Sequence, residues 1–303
     1  MTPDSPLASA MRRFARNRAA LASLAVLCMI ALAAATAPLT EALLAVDPEA
    51  VDLLARLAPP SFAHPLGTDE LGRDVLARLL RGGQVSLTVG LATAAVAAAI
   101  GTVIGLLAGY YGGPLDALLM RFTDGVIALP LLPLLIVLAA ADPVKLGLPA
   151  DASQSPLAGV VRIIVIISLV GWTTVARLVR AATLSVRRRE FVLAAVAVGA
   201  GPLRIMARHI LPNVISPIIV ATTLSVGNII LLESALSFLG LGVQPPLPSW
   251  GNMLTGALEL IWSAPALAVW PGLLIFATVL AFNFLGDGLQ QTLDPKAEGF
   301  LRI

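Results

Sequence analysis

Six stretches of mostly apolar residues recur along the chain, and each is long enough to cross the hydrocarbon core of a bilayer as a helix. Backbone groups in lipid must be hydrogen-bonded within their own segment, so such stretches predict helices. Only 13% of the residues are charged, about half the share usual in soluble domains. We therefore expect an all-α integral membrane protein with about six transmembrane helices. The stretches cover residues 19–38, 84–109, 115–140, 158–178, 213–238 and 265–286.

The distribution of arginine predicts how these spans are oriented. Arginine-rich segments beside a span tend to stay in the cytoplasm, and an even number of spans returns the C-terminus to the side on which the chain began. We therefore expect both termini and the segment 177–212 inside, with 39–83 and 239–264 outside. The arginines that precede the first span are Arg12, Arg13, Arg16 and Arg18.

The first stretch also admits a second interpretation. An arginine-rich start, an apolar run and small residues at 33–37 describe a cleavable signal peptide as well. Cleavage would leave five spans and keep every later loop on its side. The apolar run is long for a signal peptide, which favours an uncleaved anchor.

Segment 177–212 carries seven arginines between two apolar stretches, so it must be a loop beside the membrane. Within it, an amphipathic pattern from Glu190 to Val198 ends at Gly199, and Pro202 follows. This order predicts a helix, a left-handed stop and a second helix that begins at the proline. A compact helix–turn–helix on the cytoplasmic face predicts a docking surface for a partner.

The spacing inside this loop resembles the EAA loop of ABC importer permeases. Ala194-Ala195, then Gly199 after three residues, then 209–212 after a further nine, resembles Glu-Ala-Ala, Gly and Ile-x-Leu-Pro. Leu193 stands where the motif has its glutamate, and His209 stands where it has isoleucine. Four more segments look like the dipeptide, oligopeptide and nickel branch, and most like the shorter of its two permeases. These segments are 64–91, 109–130, 233–254 and 281–295.

The resemblance implies a type I ABC importer permease bundle with a cytoplasmic coupling helix, in the inner (cytoplasmic) membrane of a bacterium. Residues 1–83 would hold the N-terminal tail, the first span and a periplasmic segment, and 84–303 the five-helix permease core. The implied ATPase-coupling residues are Arg189, Glu190, Phe191, Ala194, Ala195, Gly199, Ala200, Pro202, His209, Leu211 and Pro212.

The same resemblance implies the partners. They are a second, non-identical permease, two ATPase subunits that hold ATP and Mg, an extracytoplasmic solute-binding protein and membrane lipid. The cargo would be peptides or similar small solutes, moved by alternating access. Dipeptides, longer oligopeptides, glutathione-like peptides and nickel complexes are all carried by permeases of this appearance.

The sequence offers little chemistry for catalysis. It contains no G-x-x-x-x-G-K-[ST] phosphate loop, so we expect neither ATP hydrolysis nor a bound cofactor. His64 and His209 fall in different loops, which argues against a histidine metal pair. The net charge of +2 gives no reason to expect a nucleic-acid partner. An ion-gradient-driven secondary transporter or channel is the alternative, but it would need midplane carboxylates and paired broken helices.

Ionisable residues at membrane depth are costly and often functional. Asp124, Glu233 and Asp287 qualify, and Asn228 is a polar companion. If Glu233 faces the pore it would meet a substrate ammonium group, and otherwise it pairs with the backbone or a neighbouring helix. We take Asn228 and Glu233 as candidates for the substrate pathway.

Four local patterns give further expectations. Small residues spaced by four in the second span predict close helix packing, either with the partner permease or within the subunit. Pro130 and Pro133 predict a kink in the third span. Residues 69–81 predict an amphipathic helix along the outer interface, and three tryptophans near the last span predict an interfacial belt. The small residues are Ala97, Gly101, Gly105 and Gly109, and the tryptophans are Trp250, Trp262 and Trp270.

Overall fold

The computed structural model describes residues 6–141, 156–257 and 259–293 of the 303. Throughout these ranges the regular structure is helical. The α-helices are α1 (Pro6–Arg16), α2 (Arg18–Ala35), α3 (Ala37–Leu44), α4 (Val75–Tyr111), α5 (Gly113–Ala128), α6 (Leu131–Ala140), α7 (Pro156–Arg187), α8 (Glu190–Ala197), α9 (Pro202–Ile205), α10 (Leu211–Phe238), α11 (Trp250–Ala257) and α12 (Ala266–Leu293). A π-helical turn, Met206–Ile210, joins α9 to α10.

Five of these elements are long and apolar enough to cross a membrane: α2, α4, α7, the run from α9 through α10, and α12. The pair α5 and α6 makes a sixth span if it is counted as one, although its axis turns by 85°. The all-α membrane fold with about six spans is therefore confirmed. Parts of the termini and of the predicted loop 141–157 lie outside the described residues.

The bend between α5 and α6 has a local cause in the sequence. Leu129 is extended, at φ −74° and ψ 136°, as a residue before proline prefers to be. Pro130 then precedes α6, while Pro133 sits in the first turn of α6, where its missing N–H costs little. The predicted kink is confirmed at Pro130.

The centre of the bundle is the contact between α4 and α7, which is close because the facing stripe of α4 is made of small residues. A Cβ placed on Gly105 would lie 2.6 Å from the carbonyl oxygen of Ala176, and one on Gly101 would lie 2.6 Å from that of Trp172. Only glycine permits this approach. The stripe therefore packs within the subunit, which decides between the two alternatives of the sequence analysis.

The expectation of an interfacial helix over residues 69–81 is wrong. Residues 69–74 form a turn, and α4 begins only at Val75, after Asp74 accepts a hydrogen bond from the Ala77 amide at 2.7 Å. Val75 and Leu79 are buried in the main core. The apolar face of this segment is thus covered by protein rather than by lipid. The division at 83/84 consequently falls inside α4.

The interfacial assignment of Trp250 is also wrong. Its side chain is only 1% exposed, and its indole N–H donates to the Leu79 carbonyl at 3.0 Å. Gly83 leaves room for the ring, since a Cβ there would lie 3.0 Å from the indole. Trp262, by contrast, is 96% exposed, so the predicted belt loses its Trp250 member.

Helix α2 lies along α12 near the end of the bundle that carries α8. Gly288 is packed against Ala20. Asn17 caps α2 by accepting from the Ala20 amide at 3.1 Å, and its own amide donates to Gln291 at 3.1 Å. The first apolar stretch is therefore an integral part of the bundle.

Candidate coupling surface and transport cavity

The segment after α7 forms the helix–turn–helix that the sequence predicts. Gly199 has φ +85°. The Gly199 amide donates to the Val196 carbonyl at 2.9 Å, and the Ala200 amide donates to the Ala195 carbonyl at 3.0 Å. This pair of bonds is a Schellman motif, which closes the end of α8 and needs a left-handed residue at Gly199. Helix α9 then begins at Pro202, as predicted.

Helix α8 is held to the bundle by one buried side chain. Val192 is buried in a cluster with Ile205, Met206, Ile210 and other residues of α4, α7 and α10. Ala195, half-buried, flanks it, while Glu190, Leu193 and Ala194 point away from the bundle and are exposed. This cluster therefore connects α8 to the adjoining ends of α4, α7 and α10.

His209, Leu211 and Pro212 lie where the loop enters α10. Pro212 has no N–H and would clash one turn back in a regular α-helix. The chain widens instead into the π-helical turn, and the Leu211 amide donates to the Met206 carbonyl. The Asn213 side chain donates to the His209 carbonyl at 2.7 Å. His209 thus contributes its backbone to this junction.

Three of the seven arginines lie within α7 rather than in a loop, and two of these, Arg177 and Arg180, pair with α5. Arg180 donates to Asp116 of α5, with 2.6 Å between Nη2 and Oδ2. Arg177 donates to Asp124, also on α5. Asp124 therefore has an interhelical partner in Arg177, whereas Asp116 was not identified from the sequence. The arginines exposed around α8 are Arg187, Arg188, Arg189, Arg204 and Arg208.

An open cavity of about 920 Å³ lies between α5, α6, α7, α10 and α12. Its lining is mostly apolar, with a few hydroxyl and amide side chains. Asn228 is one of the lining residues and is exposed. The other exposed or half-exposed polar residues of the lining are Thr174, Ser216, Ser225 and Gln290.

Glu233 does not line this cavity. Its carboxylate is fully buried, where it accepts from Ser86 at 3.2 Å and from Ser237 at 2.7 Å. The structure favours the second alternative of the sequence analysis, a carboxylate partnered by neighbouring helices. Sequence patterns carry no signal for this cluster, because Ser86 and Glu233 come from separate spans.

The two histidines lie apart. His64 Nδ1 is 2.9 Å from Asp74 Oδ2, beside the start of α4. His209 lies in the π-helical turn just before α10, at the other end of the bundle. Among the described residues there is no group of three metal-ligating side chains.

Comparison with known proteins identifies the family to which this chain belongs. Residues 101–299 match the family model described as the inner membrane component of binding-protein-dependent transport systems. Residues 5–60 match the N-terminal transmembrane domain of oligopeptide transport permease C.

Full-length relatives agree with both matches. The dipeptide transport system permease protein DppC of Alkalihalophilus pseudofirmus is 38% identical over 97% of this chain and 91% of its own length. The di/tripeptide transport system permease protein DppC of Pseudomonas aeruginosa is 39% identical, over 96% and 93%. The glutathione transport system permease protein GsiD of Pectobacterium atrosepticum is 40% identical, over 94% and 89%. The chain is thus a multi-pass membrane protein that belongs to the family of inner membrane components of binding-protein-dependent transport systems, in the branch whose named members are dipeptide and oligopeptide permeases.

Proposed function

We propose that this chain is one of two non-identical permease subunits of an ATP-driven importer, which moves peptides or similar small solutes into the cytoplasm. The single observation that carries the proposal is the continuity of α10. Helix α10 begins beside the cluster that anchors α8 and continues along the wall of the cavity. The relatives named for dipeptides, di/tripeptides and glutathione support the substrate class.

In this proposal, α8 docks on one of two ATPase subunits that hold ATP and Mg. Closure of the ATPases moves α8, and the Val192 cluster passes the movement to α4, α7 and α10. The cavity then opens alternately to each side of the membrane. A solute-binding protein delivers the substrate to the opposite end. No bond in the substrate is broken by this chain, and hydrolysis of ATP belongs to the partners.

The same proposal includes the orientation of the chain in the membrane. Both termini and the loop that contains α8 are cytoplasmic, and the segment between α3 and α4 is extracytoplasmic. The arginines before α2 and around α8 support this orientation. The packing of α2 on α12 supports an uncleaved anchor over a signal peptide. Reporter fusions after Arg18 and after Ile303 test it, because activity restricted to the periplasm at either site contradicts it.

Asn228 is our candidate for direct contact with the substrate. Its exposed amide faces the cavity from α10 and can both donate to and accept from a peptide backbone. Asn228→Leu is expected to lower uptake while ATPase association stays intact. The matched control is Thr222→Val, which changes a polar residue of the same helix that is outside the cavity lining.

The proposal as a whole is tested by uptake in proteoliposomes. The full chain, the second permease, the two ATPases and the solute-binding protein encoded in neighbouring reading frames are reconstituted together. Labelled di- and tripeptides should accumulate only when ATP is supplied on the ATPase side. Accumulation that needs an ion gradient and not ATP would establish the secondary transporter instead.

A further inference from the structure

The outward face of α8 is a stripe of small and apolar side chains. Glu190, Leu193, Ala194 and Ala197 are spaced i, i+3, i+4 and i+7, so they share one side of the helix. All four are exposed, whereas Val192 on the other side is buried. Apart from Glu190 at its start, this face of α8 therefore carries no charged side chain that could contact a partner.

Exposed apolar side chains extend this stripe on both sides of the turn. Leu193 is 56% exposed, and Val198 and Leu203 are exposed still further. So many apolar side chains outside the apolar body of the bundle mark an interaction surface. We call this surface the coupling patch, and it consists of Phe191, Leu193, Ala194, Ala197, Val198 and Leu203.

Arginines lie on both sides of the coupling patch along the chain. Five exposed arginines flank it in sequence, three just before α8 and two after the turn. Glu190 is the only acidic residue between 187 and 210. An apolar centre with a charged rim is the usual arrangement of a protein interface, and complementarity requires a partner whose rim is acidic.

We propose that the ATPase groove that receives α8 is apolar where Leu193 enters it and acidic around that point. Leu193 then anchors the complex by burial, and the arginines steer the approach of the two proteins. The inference rests on the proposed function, since it takes an ATPase subunit as the occupant. The inference predicts which ATPases bind this chain. A groove with a basic residue at this point would suit a permease that carries glutamate at position 193, whereas an apolar groove suits Leu193.

The experiment compares Leu193→Glu with Leu193→Met. Each full-length variant is purified with the second permease, and its affinity is measured for the ATPase subunits encoded in neighbouring reading frames. Leu193→Glu places a charge in the apolar part of the ATPase groove and should weaken binding about tenfold or more. Leu193→Met keeps the apolar volume and should stay within about threefold of the wild type. Raising the salt concentration should reduce the wild-type affinity through the arginine rim while the Leu193→Glu defect persists.

Leu54→Glu is the control, since Leu54 is a fully exposed leucine in the segment between α3 and α4. It should leave ATPase affinity unchanged. If the Leu193→Glu variant binds as tightly as the wild type, or more tightly, the groove is not apolar at this point and the inference is overturned. A wild-type chain that binds no ATPase at all overturns the proposed function itself, so the two failures are distinguishable.

Discussion

The Ser86 hydroxyl donates to the Glu233 carboxylate across 3.2 Å, although the two residues are 147 positions apart in the sequence. The same hydroxyl accepts from the Trp250 amide at 3.2 Å. Ser237, one turn beyond Glu233, donates to its other oxygen and accepts from the Val243 amide at 3.0 Å. This buried network joins α4 and α10 to the segment that leads into α11, at the end of the bundle away from α8.

Glu233→Leu should therefore destabilise the subunit more than Glu233→Gln does. Leucine leaves the hydroxyls of Ser86 and Ser237 without their acceptor, and each buried polar group without a partner costs about 1–3 kcal/mol. Glutamine keeps one acceptor oxygen and nearly the same volume. Thermal unfolding of the purified protein in detergent measures the difference. A Glu233→Leu variant of normal stability that fails to transport would instead restore the pore assignment.

The glycine stripe of α4 gives a second prediction. Gly105→Ala should destabilise the subunit by about 1–3 kcal/mol or more, because the added Cβ lies 2.6 Å from the Ala176 carbonyl oxygen and the helices must separate. Gly125→Ala in α5 is the matched control. A Cβ at Gly125 meets no atom within 4 Å, so alanine should be neutral or slightly stabilising. Equal unfolding midpoints for the two variants would contradict the close packing of α4 and α7.

Much of this architecture follows from single-segment patterns, while the polar contacts between helices do not. Apolar length predicts the spans, and Gly199 with Pro202 predicts the turn after α8, because both depend on local backbone preferences. Trp250 and residues 69–81 were misassigned for one reason. An amphipathic face shows that something apolar covers it, but not whether lipid or protein does. Asp116 was missed because only the packing of α5 on α7 brings Arg180 within reach.

The two ion pairs between α5 and α7 should contribute unequally to the stability of the subunit. The Asp116 side chain is largely buried and engages Arg180 through both oxygens, whereas Asp124 and Arg177 are both well exposed. Exposed pairs contribute little, since water and salt screen them. Asp116→Asn should lower the stability of the purified protein measurably, and Asp124→Asn should change it by less than about 0.5 kcal/mol. The ranking is wrong if chemical denaturation shows the larger loss for Asp124→Asn.

Gly199 should matter more to coupling than any single arginine of the loop. At φ +85° it ends α8 in a conformation that a β-branched side chain strongly disfavours. A Cβ there meets no atom within 4 Å, so the cost of Gly199→Val is one of backbone conformation and not of crowding. Valine should open the Schellman turn and tilt α8.

Peptide uptake and co-purification of the ATPases should both fall severely in Gly199→Val, while membrane insertion is unchanged. Gly201→Ala is the matched control, because Gly201 has φ −69° and open space around it. Arg188→Ala should be mild, since Arg187 and Arg189 keep the local positive charge. If Gly199→Val transports normally with its ATPases bound, α8 is not the element through which this permease is coupled to ATP.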